Sequence, residues 1–360
     1  MSIVKRVSSF MNLSRQRHRH WIAAAVCPVM AMTMFGRGDA RGVETLARIA
    51  AAPSPHPDLM QSAVVPDSDL VADVQLYYPH DSSHASIPVV MGGTSWWLDV
   101  DLGAESGLLW PAARKALDAH VGLLGGTMVS GYGGETPAEQ VSVDSVKVGS
   151  VTRTSLTFLV MDLETQMHLT PSKVHPISGI IGRSYFASYD LVFDFPAQRF
   201  RMYTTQDSAR GVARTKGMTC VKNRMSDRTE MIIVPITVNG QRSSGFLDTG
   251  ARLTTLDWEL AQKIGVTPTS KGVKPVDTWS GGVGGEIKEY TVPGVRLTVD
   301  GTPLRDRVLR FGREIMPTSS SLEDADQPHV ILGLNSISDR VLLISWSTNQ
   351  VCLGPRSTAK

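Results

Sequence analysis

The sequence predicts a mostly β protein with two similar lobes, in which short strands and turns dominate and helices are short. Three observations predict this fold class. The chain has 360 residues, more than one hydrophobic core usually holds. β-branched residues, glycine and proline recur throughout, which favours short strands over long helices. The segment from Gly245 to Ala251 also has a diverged copy 147 residues upstream.

Residues 1–40 have the pattern of an export signal. Basic residues are followed by an apolar run from Trp21 to Phe35 and then by small residues. The run of about 15 residues is shorter than the roughly 20 that a membrane-spanning helix needs. This favours a cleaved signal over an uncleaved anchor and predicts an exported protein, periplasmic or secreted, that contacts a membrane only if the segment stays attached.

The charge of the remaining chain argues against nucleic acid as a partner. The net charge is +2, but residues 1–40 hold six Lys or Arg and one Asp, so the rest carries −3. Nucleic-acid binding calls for a concentrated basic face, which this balance does not indicate. Residues 41–72 are rich in proline and polar residues, and we interpret them as a linker or a pro-segment.

The two copies align without a gap around their first hairpins. Ile87–Thr94 reads as a strand that enters a Gly-Gly turn, and Val234–Gln241 reads as a strand that enters an Asn-Gly turn. Both dipeptides are favoured in two-residue hairpin turns. Each copy therefore predicts a strand, a hairpin and a second strand that ends in an Asp on a tight turn. These turns are Asp101-Leu102-Gly103-Ala104 and Asp248-Thr249-Gly250-Ala251.

The correspondence continues beyond the two Asp turns. Glycine-rich hairpins follow near Tyr132 and near Val283. From these hairpins, 48 residues lead in each copy to an apolar-apolar-Gly sequence that ends at Gly182 or at Gly333. Internal duplication accounts for this order. It predicts lobes at residues 73–212 and 213–360, with scaffold helices at Pro111 to His120 and Asp257 to Ile264.

These residues resemble the retropepsin-like aspartic proteases, and two copies in one chain are similar to the bilobal pepsin-type enzymes. The resemblance covers about residues 73–354 and rests on the Asp turns, the glycine hairpins, Ile180-Ile181-Gly182 and Ile331-Leu332-Gly333. It implies a bilobal acid-protease fold made of two duplicated β-barrel lobes. Alanine after both Asp-x-Gly turns is more typical of the viral and bacterial retropepsin-like members than of the digestive enzymes.

The resemblance also implies an activity, hydrolysis of peptide bonds in a peptide or protein substrate by one monomeric chain. Asp101 and Asp248 would share one proton and activate a water between them, without a metal or cofactor. The resemblance assigns support of the catalytic loops to Gly103, Thr249 and Gly250. It assigns the flaps that cover the substrate to Tyr132, Gly133, Gly134, Gly284 and Gly285.

One position departs from the family pattern. The residue after each Asp is normally Thr or Ser, whose hydroxyl binds the opposing loop; Thr249 can do this and Leu102 cannot. We expect the loss to weaken the pairing of the loops, by about 0.5–1.5 kcal/mol per hydrogen bond. Two alternatives follow: an inactive protease-fold protein that binds peptides, or a homodimer that uses only Asp248.

Three further residues have open interpretations. Asp99 is two residues before Asp101 but lacks the following glycine, so we interpret it as a structural or solvated residue. Cys220 and Cys352 are the cysteines that remain if the signal is removed. In an oxidising compartment they could form a disulfide, and two buried free thiols are the alternative.

Overall fold

A computed structural model describes residues 69–79, 84–163, 176–224, 231–277, 281–305, 309–312 and 329–357. The predicted export signal and most of the predicted linker lie outside these ranges. Within them, no helix is both long enough and apolar enough to cross a membrane.

Strands dominate the described residues. In chain order the strands are β1 (Leu70–Gln75), β2 (Ser86–Met91), β3 (Thr94–Asp101), β4 (Gly107–Leu109), β5 (Val121–Gly131), β6 (Gly134–Val148), β7 (Val151–Val160), β8 (Ile177–Gly182), β9 (Tyr189–Asp194), β10 (Arg199–Thr204), β11 (Thr219–Lys222), β12 (Ile233–Val238), β13 (Gln241–Leu247), β14 (Thr255–Leu256), β15 (Lys274–Pro275), β16 (Gly281–Gly282), β17 (Gly285–Glu286), β18 (Glu289–Val292), β19 (Leu297–Val299), β20 (Thr302–Pro303), β21 (Leu309–Gly312), β22 (Val330–Leu332), β23 (Arg340–Ser345) and β24 (Gln350–Arg356).

The helices are short and lie between strands. They are α1 (Pro111–Ala116), α2 (Arg183–Phe186), α3 (Ser208–Arg214), α4 (Trp258–Lys263) and α5 (Leu334–Ile337), with a 3₁₀ turn at Asp118–His120. The two predicted scaffold helices correspond to α1 with the 3₁₀ turn and to α4. Pro111 starts α1, where its missing N–H costs nothing, and Asp257 caps α4 by accepting the Leu260 N–H at 2.7 Å.

The first lobe is a closed β-barrel. Its strands pair in the order β2-β3-β8-β4-β7-β6, and β6 pairs back with β2 to close the ring, while β5 extends from β6 as a hairpin. Closure removes the exposed edges that an open sheet would leave. Apolar side chains such as Val100, Val141 and Phe158 fill the interior and are fully buried.

The second lobe repeats this arrangement. Its order is β18-β21-β14-β22-β13-β12-β19, and β19 pairs with β12 as β6 pairs with β2 in the first lobe. The chain runs from β18 to β19 through Pro293 and Gly294, so these two strands together take the place of the single long β6. Proline cannot donate a ladder hydrogen bond, and Gly294, with a φ of 74°, turns the chain away from the extended conformation, so the ladder is interrupted there.

The registers of the two first hairpins are the same. Ile87 pairs with Leu98 in the first lobe, and their counterparts 147 residues later, Val234 and Gly245, also pair. Both residues of each turn have positive φ, 56° and 76° in the first lobe and 48° and 86° in the second. This is the conformation that Gly-Gly and Asn-Gly favour. The prediction of a mostly β, bilobal acid-protease fold with duplicated lobes is confirmed.

A six-stranded sheet joins the lobes, in the order β1-β10-β9-β23-β24-β11. Its centre pairs β9 of the first half with β23 of the second. Cys220 on β11 and Cys352 on β24 are direct partners in this sheet and form a disulfide. Strand β1 begins three residues before the predicted start of the first lobe, and the predicted boundary at residues 212 and 213 falls inside α3.

Candidate active site

Two aspartates lie on matching turns at the ends of β3 and β13, and both are fully buried. Oδ1 of Asp101 accepts the N–H of Gly103 at 2.7 Å and that of the next residue at 3.0 Å. Oδ1 of Asp248 accepts the N–H of Gly250 at 2.9 Å and that of the next residue at 3.2 Å. Backbone donors thus hold one oxygen of each carboxyl, so the loops fix the direction of both side chains.

The two turns meet face to face within one chain. A methyl group at Gly103 would lie 2.6 Å from Oδ1 of Asp248, and one at Gly250 would lie 2.3 Å from Cγ of Asp101. Each carboxyl therefore rests on the glycine of the opposite turn. Neither glycine has a positive φ, so the conformation of the loop does not itself require glycine. Close approach of the opposing carboxyl is what excludes a side chain at both positions.

A single hydroxyl links the two turns. Thr249 Oγ1 accepts the N–H of Leu102 at 3.0 Å and donates to the carbonyl of Val100 at 2.7 Å. The side chain of Leu102 is fully buried in the apolar core of the first lobe. Because leucine has no hydroxyl, the side chain of Leu102 forms no equivalent hydrogen bonds to the second turn.

The apolar-apolar-Gly sequences support the turns from below. The peptide N–H after Gly182 bonds to the carbonyl of Ala104 at 2.9 Å, and the one after Gly333 bonds to that of Ala251 at 2.8 Å. A methyl group at Gly182 would lie 2.4 Å from the carbonyl oxygen of Ser106. Both glycines are therefore required because the backbone of the Asp turn passes directly over them.

Arg183 adds a contact on the first turn alone. It is almost completely buried, and its Nη1 donates to the carbonyl of Leu102 at 2.8 Å and lies 3.3 Å from that of Gly103. The equivalent residue of the second lobe is Leu334, which has no such donor. The turn that lacks the hydroxyl is thus held by a guanidinium that we did not predict to be part of the site.

Burial and pairing change the acidity of the site. Removal from water is the main cause that raises the pKa of Asp101 well above its usual range, and the negative charge of Asp248 raises it further. The hydrogen bonds from the turn N–H groups and the charge of His84 act in the opposite direction. The balance favours a protonated Asp101 beside its partner.

The tips of the two glycine hairpins contact each other. The N–H of Gly133 donates to the carbonyl of Val283 at 2.9 Å. A methyl group at Gly133 would lie 2.2 Å from the carbonyl oxygen of Gly285, and one at Gly284 would lie 2.2 Å from the carbonyl carbon of Gly134. The tips are in contact backbone to backbone, which only glycines permit. The structure thus brings all four predicted flap glycines together.

Tyr132 lies at the tip of the first flap but reaches the second lobe. Its hydroxyl donates to Oε1 of Glu289 at 3.3 Å, and Oε2 of Glu289 accepts a 2.8 Å hydrogen bond from Arg310. Both partners of this ion pair are buried. Glu289 and Arg310 could not be predicted from the sequence, since each is separated from the Asp turn by tens of residues and belongs to no motif.

The first lobe also contains a buried polar cluster near Asp101. Ser86 Oγ donates to Oδ1 of Asp99 at 2.5 Å, and Nδ1 of His84 lies 3.1 Å from Oδ2 of Asp99. All three residues are less than a tenth exposed. Asp99 is therefore buried and bonded to its neighbours, not solvated. His84 and Ser86 were missed because no sequence motif links them to Asp99.

A family model for aspartyl proteases matches the chain twice, over residues 87–185 and 234–336, one match in each lobe. The chain belongs to the aspartyl protease family. The two matches contain the two Asp turns and the two apolar-apolar-Gly sequences of this family member. In the described part of its chain, no group of three or more His, Cys, Asp or Glu side chains could hold a metal ion.

This aspartyl protease family member is also similar to individual proteins. It is 28% identical over 131 residues to DNA damage-inducible protein 1 of Yarrowia lipolytica, which covers 35% of this chain and 28% of that protein. The chain thus spans less than a third of that relative's length. It also matches the crystal structure of an aspartic proteinase from Irpex lacteus with a TM-score of 0.49 and 12% identity, over 79% of this chain and 97% of the other.

Proposed function

We propose that this protein is an aspartic endopeptidase that hydrolyses peptide bonds with a water activated between Asp101 and Asp248. The observation that carries the proposal is the opposition of the two buried carboxyls, each packed on the glycine of the other turn. Two carboxyls in such a position share a proton, because ionisation of one opposes ionisation of the other. That state provides an acid and a base at one site.

The chemistry follows from this shared proton. We assign the proton to Asp101, whose pKa is raised by burial and by Asp248. The ionised Asp248 takes a proton from water, whose oxygen attacks the carbonyl carbon of the substrate while Asp101 protonates the carbonyl oxygen. The tetrahedral intermediate then collapses as a proton passes to the amide nitrogen. An acid and an amine leave, and no covalent bond to the protein forms.

The two flaps support this assignment. Their tips touch through Gly133 and Val283 over the cleft, so a bound peptide would be enclosed on its outer side. Enclosure excludes water and strengthens the electrostatic effect of the carboxyls on the reacting atoms. The extended β5–β6 hairpin also offers backbone groups that suit a peptide in an extended conformation.

Cleavage of a mixed peptide library between pH 3 and pH 8 tests the proposal. The wild type is expected to cut, and Asp101→Asn and Asp248→Asn are each expected to lose at least about a thousandfold in kcat/KM. Asp118→Asn, at an exposed position, is the matched control and should cut as the wild type does. Full activity of Asp101→Asn would contradict the dyad and favour a dimer that uses Asp248. Binding of peptides without cleavage would favour the inactive alternative that Leu102 suggests.

We also propose that the protein is exported. The support is the basic and apolar pattern of residues 1–40 together with the disulfide between Cys220 and Cys352, since disulfides persist in oxidising compartments. Fractionation of cells that express the full chain, followed by N-terminal sequencing, tests this. Intact protein confined to the cytosol would contradict export.

A further inference from the structure

The walls of the cleft beside the two aspartates differ in polarity. In the second lobe, Met231, Ile233 and Phe246 are buried in one apolar cluster. The same cluster contains the alanine after each Asp turn and Val283 of the flap tip, so Met231, Ile233 and Phe246 belong to the apolar packing that joins the turns to the flap tip. Their counterparts 147 residues earlier are not apolar. They are His84, Ser86 and Asp99.

These three polar residues occupy the equivalent wall of the first lobe. Ser86 pairs with Asp99 across β2 and β3, as Ile233 pairs with Phe246 across β12 and β13. Asp99 and Asp101 are two residues apart on β3, so both side chains leave the same face of the strand. The effect of the His84 charge on the pKa of Asp101 agrees with this proximity.

The hydrogen bonds of this cluster leave one atom without a partner. Asp99 binds the Ser86 hydroxyl with Oδ1 and the Nδ1 side of His84 with Oδ2. Nε2 of His84 is buried and has no hydrogen-bond partner among the described residues. A buried polar atom left unpaired costs about 1–3 kcal/mol, so such an atom beside a binding cleft is a candidate for contact with a ligand. Because Ser86 binds Asp99 and not the imidazole, the cluster does not activate the serine as a nucleophile.

We propose that His84, oriented by Asp99, forms a polar subsite next to Asp101 that binds a carboxamide side chain of the substrate, Asn or Gln, through Nε2. This rests on the proposed endopeptidase function. A carboxamide both donates and accepts, so it pairs with Nε2 whether that atom carries a proton or not. A carboxylate would instead add a negative charge beside Asp99 and the dyad. The equivalent subsite of the second lobe, formed by Met231, Ile233 and Phe246, takes an apolar side chain.

Matched peptides test this proposal. Each pair differs only by Gln or Met, which have similar shapes, at the residue before or after the scissile bond. The wild type should favour Gln about tenfold in kcat/KM on one side of the scissile bond and not on the other. A tenfold preference corresponds to the free energy of one buried hydrogen bond, about 1.4 kcal/mol. An absence of Gln preference on both sides would overturn the proposal.

Two variants test whether His84 is the residue that binds the carboxamide of the substrate. His84→Asn keeps a nitrogen near the position of Nδ1 for Asp99 but lacks Nε2, so it should lose the tenfold preference. The triple variant His84→Met, Ser86→Ile and Asp99→Phe copies the second lobe and leaves no buried charge unpaired, and it should also lose the preference. Asp118→Asn, at an exposed position outside both subsites, is the matched control and should keep the preference. Retention of the tenfold preference by both His84 variants would overturn the assignment.

Binding measurements separate this inference from the proposed function. If no peptide is cut, the same Gln and Met peptides are titrated into the wild type by calorimetry. A tenfold tighter Kd for the Gln peptide that His84→Asn abolishes would support the subsite and contradict proteolysis. Cleavage with equal rates for both peptides would support proteolysis and contradict the subsite. Equal Kd values without cleavage would contradict both.

Discussion

Thr249 binds the loop of Leu102 through one hydroxyl that both accepts and donates. Its Oγ1 accepts the Leu102 N–H at 3.0 Å and donates to the carbonyl of Val100 at 2.7 Å, and all of these groups are buried. The equivalent residue of the first turn, Leu102, has no hydroxyl and forms no such hydrogen bonds to the second turn. The side-chain hydrogen bonds described between the two turns therefore come from one residue of the second turn, Thr249.

Thr249→Val should show this dependence. Valine has nearly the same shape but leaves a buried N–H and a buried carbonyl unpaired, which costs about 1–3 kcal/mol for each group. We expect the unfolding free energy to fall by about 2–5 kcal/mol in urea denaturation, and kcat to fall with it. Thr249→Ser keeps the hydroxyl and is the control, with a loss below about 1.5 kcal/mol. Equal losses in both variants would show that the hydroxyl is not responsible.

Leu102→Thr tests the missing half of the link. The new hydroxyl could form two bonds worth about 1 kcal/mol each, but the fully buried leucine contributes about 1.5–3 kcal/mol through its apolar surface. These effects nearly cancel, so we expect the unfolding free energy to change by less than about 1 kcal/mol and any gain to appear in kcat. A melting temperature more than about 8 °C above the wild type would contradict this balance.

Asp101→Asn should change how stability depends on pH. The raised pKa of Asp101 means that the folded protein keeps a proton that the unfolded chain releases near pH 3.9. As pH rises from there to the folded pKa, the wild type loses stability, and it stays lower above that pH. Asparagine has no such ionisation, so the variant should be more stable than the wild type at pH 7, by at least about 1 kcal/mol, with a smaller difference at pH 4.

Thermal unfolding of both proteins at pH 4, 5, 6 and 7 measures this difference. Asp118→Asn is the control, because Asp118 is exposed and its change should stay within about 0.5 kcal/mol. A difference between Asp101→Asn and the wild type that grows toward low pH has the wrong sign and would refute the burial of an ionisable Asp101.

Gly133→Ala should hinder closure of the flaps. The added methyl would lie 2.2 Å from the carbonyl oxygen of Gly285, so the tips must separate. We expect kcat/KM to fall at least about tenfold, with little change in melting temperature, because the flaps act on bound substrate. Gly126→Ala is the matched control, because Gly126 lies in the same hairpin and the added methyl would meet only the carbonyl oxygen of Ala138, at 4.0 Å. Equal kinetics for the two variants would contradict contact between the tips during catalysis.

Removal of the disulfide should destabilise the sheet between the lobes. Cys220 and Cys352 are 132 residues apart in sequence, so the bond restricts the unfolded chain strongly. We expect the double alanine variant to lose about 2–4 kcal/mol of unfolding free energy. The wild type treated with reductant should shift by a similar amount, and the variant should not respond to reductant. A wild-type curve that is insensitive to reductant, with two titratable thiols after unfolding, would contradict the bond.

Much of the fold follows from patterns that are local or repeated. The Gly-Gly and Asn-Gly dipeptides predict the conformation of the two hairpin turns directly. The constant offset of 147 residues shows which strand of the first lobe is equivalent to which strand of the second. Asp101 and Asp248 could be paired in advance because the resemblance to the aspartic proteases implies that the two duplicated turns meet across a pseudo-two-fold axis. The export signal, the lobe boundaries and the catalytic roles of the two aspartates remain predictions.

The contacts that occur in only one of the two lobes could not be predicted from local or repeated patterns. Duplication predicts what the lobes share, so the His84–Asp99–Ser86 cluster and the Arg183 contact, which occur in one lobe only, left no repeated signal. Tyr132 was predicted on a flap, but its partner Glu289 lies 157 residues away. The pairing of such distant residues depends on how the chain packs.

By itself, the sequence determined that this protein is a duplicated β structure with one aspartate on a glycine turn in each half, because turn chemistry and strand patterning act over a few residues and recur. Only the tertiary structure decided why Gly103 and Gly250 must be glycines, how Thr249 spans the turns and that Cys220 meets Cys352. Each of these depends on the approach of groups more than 100 residues apart in the chain, and that approach exists only once both lobes have packed together.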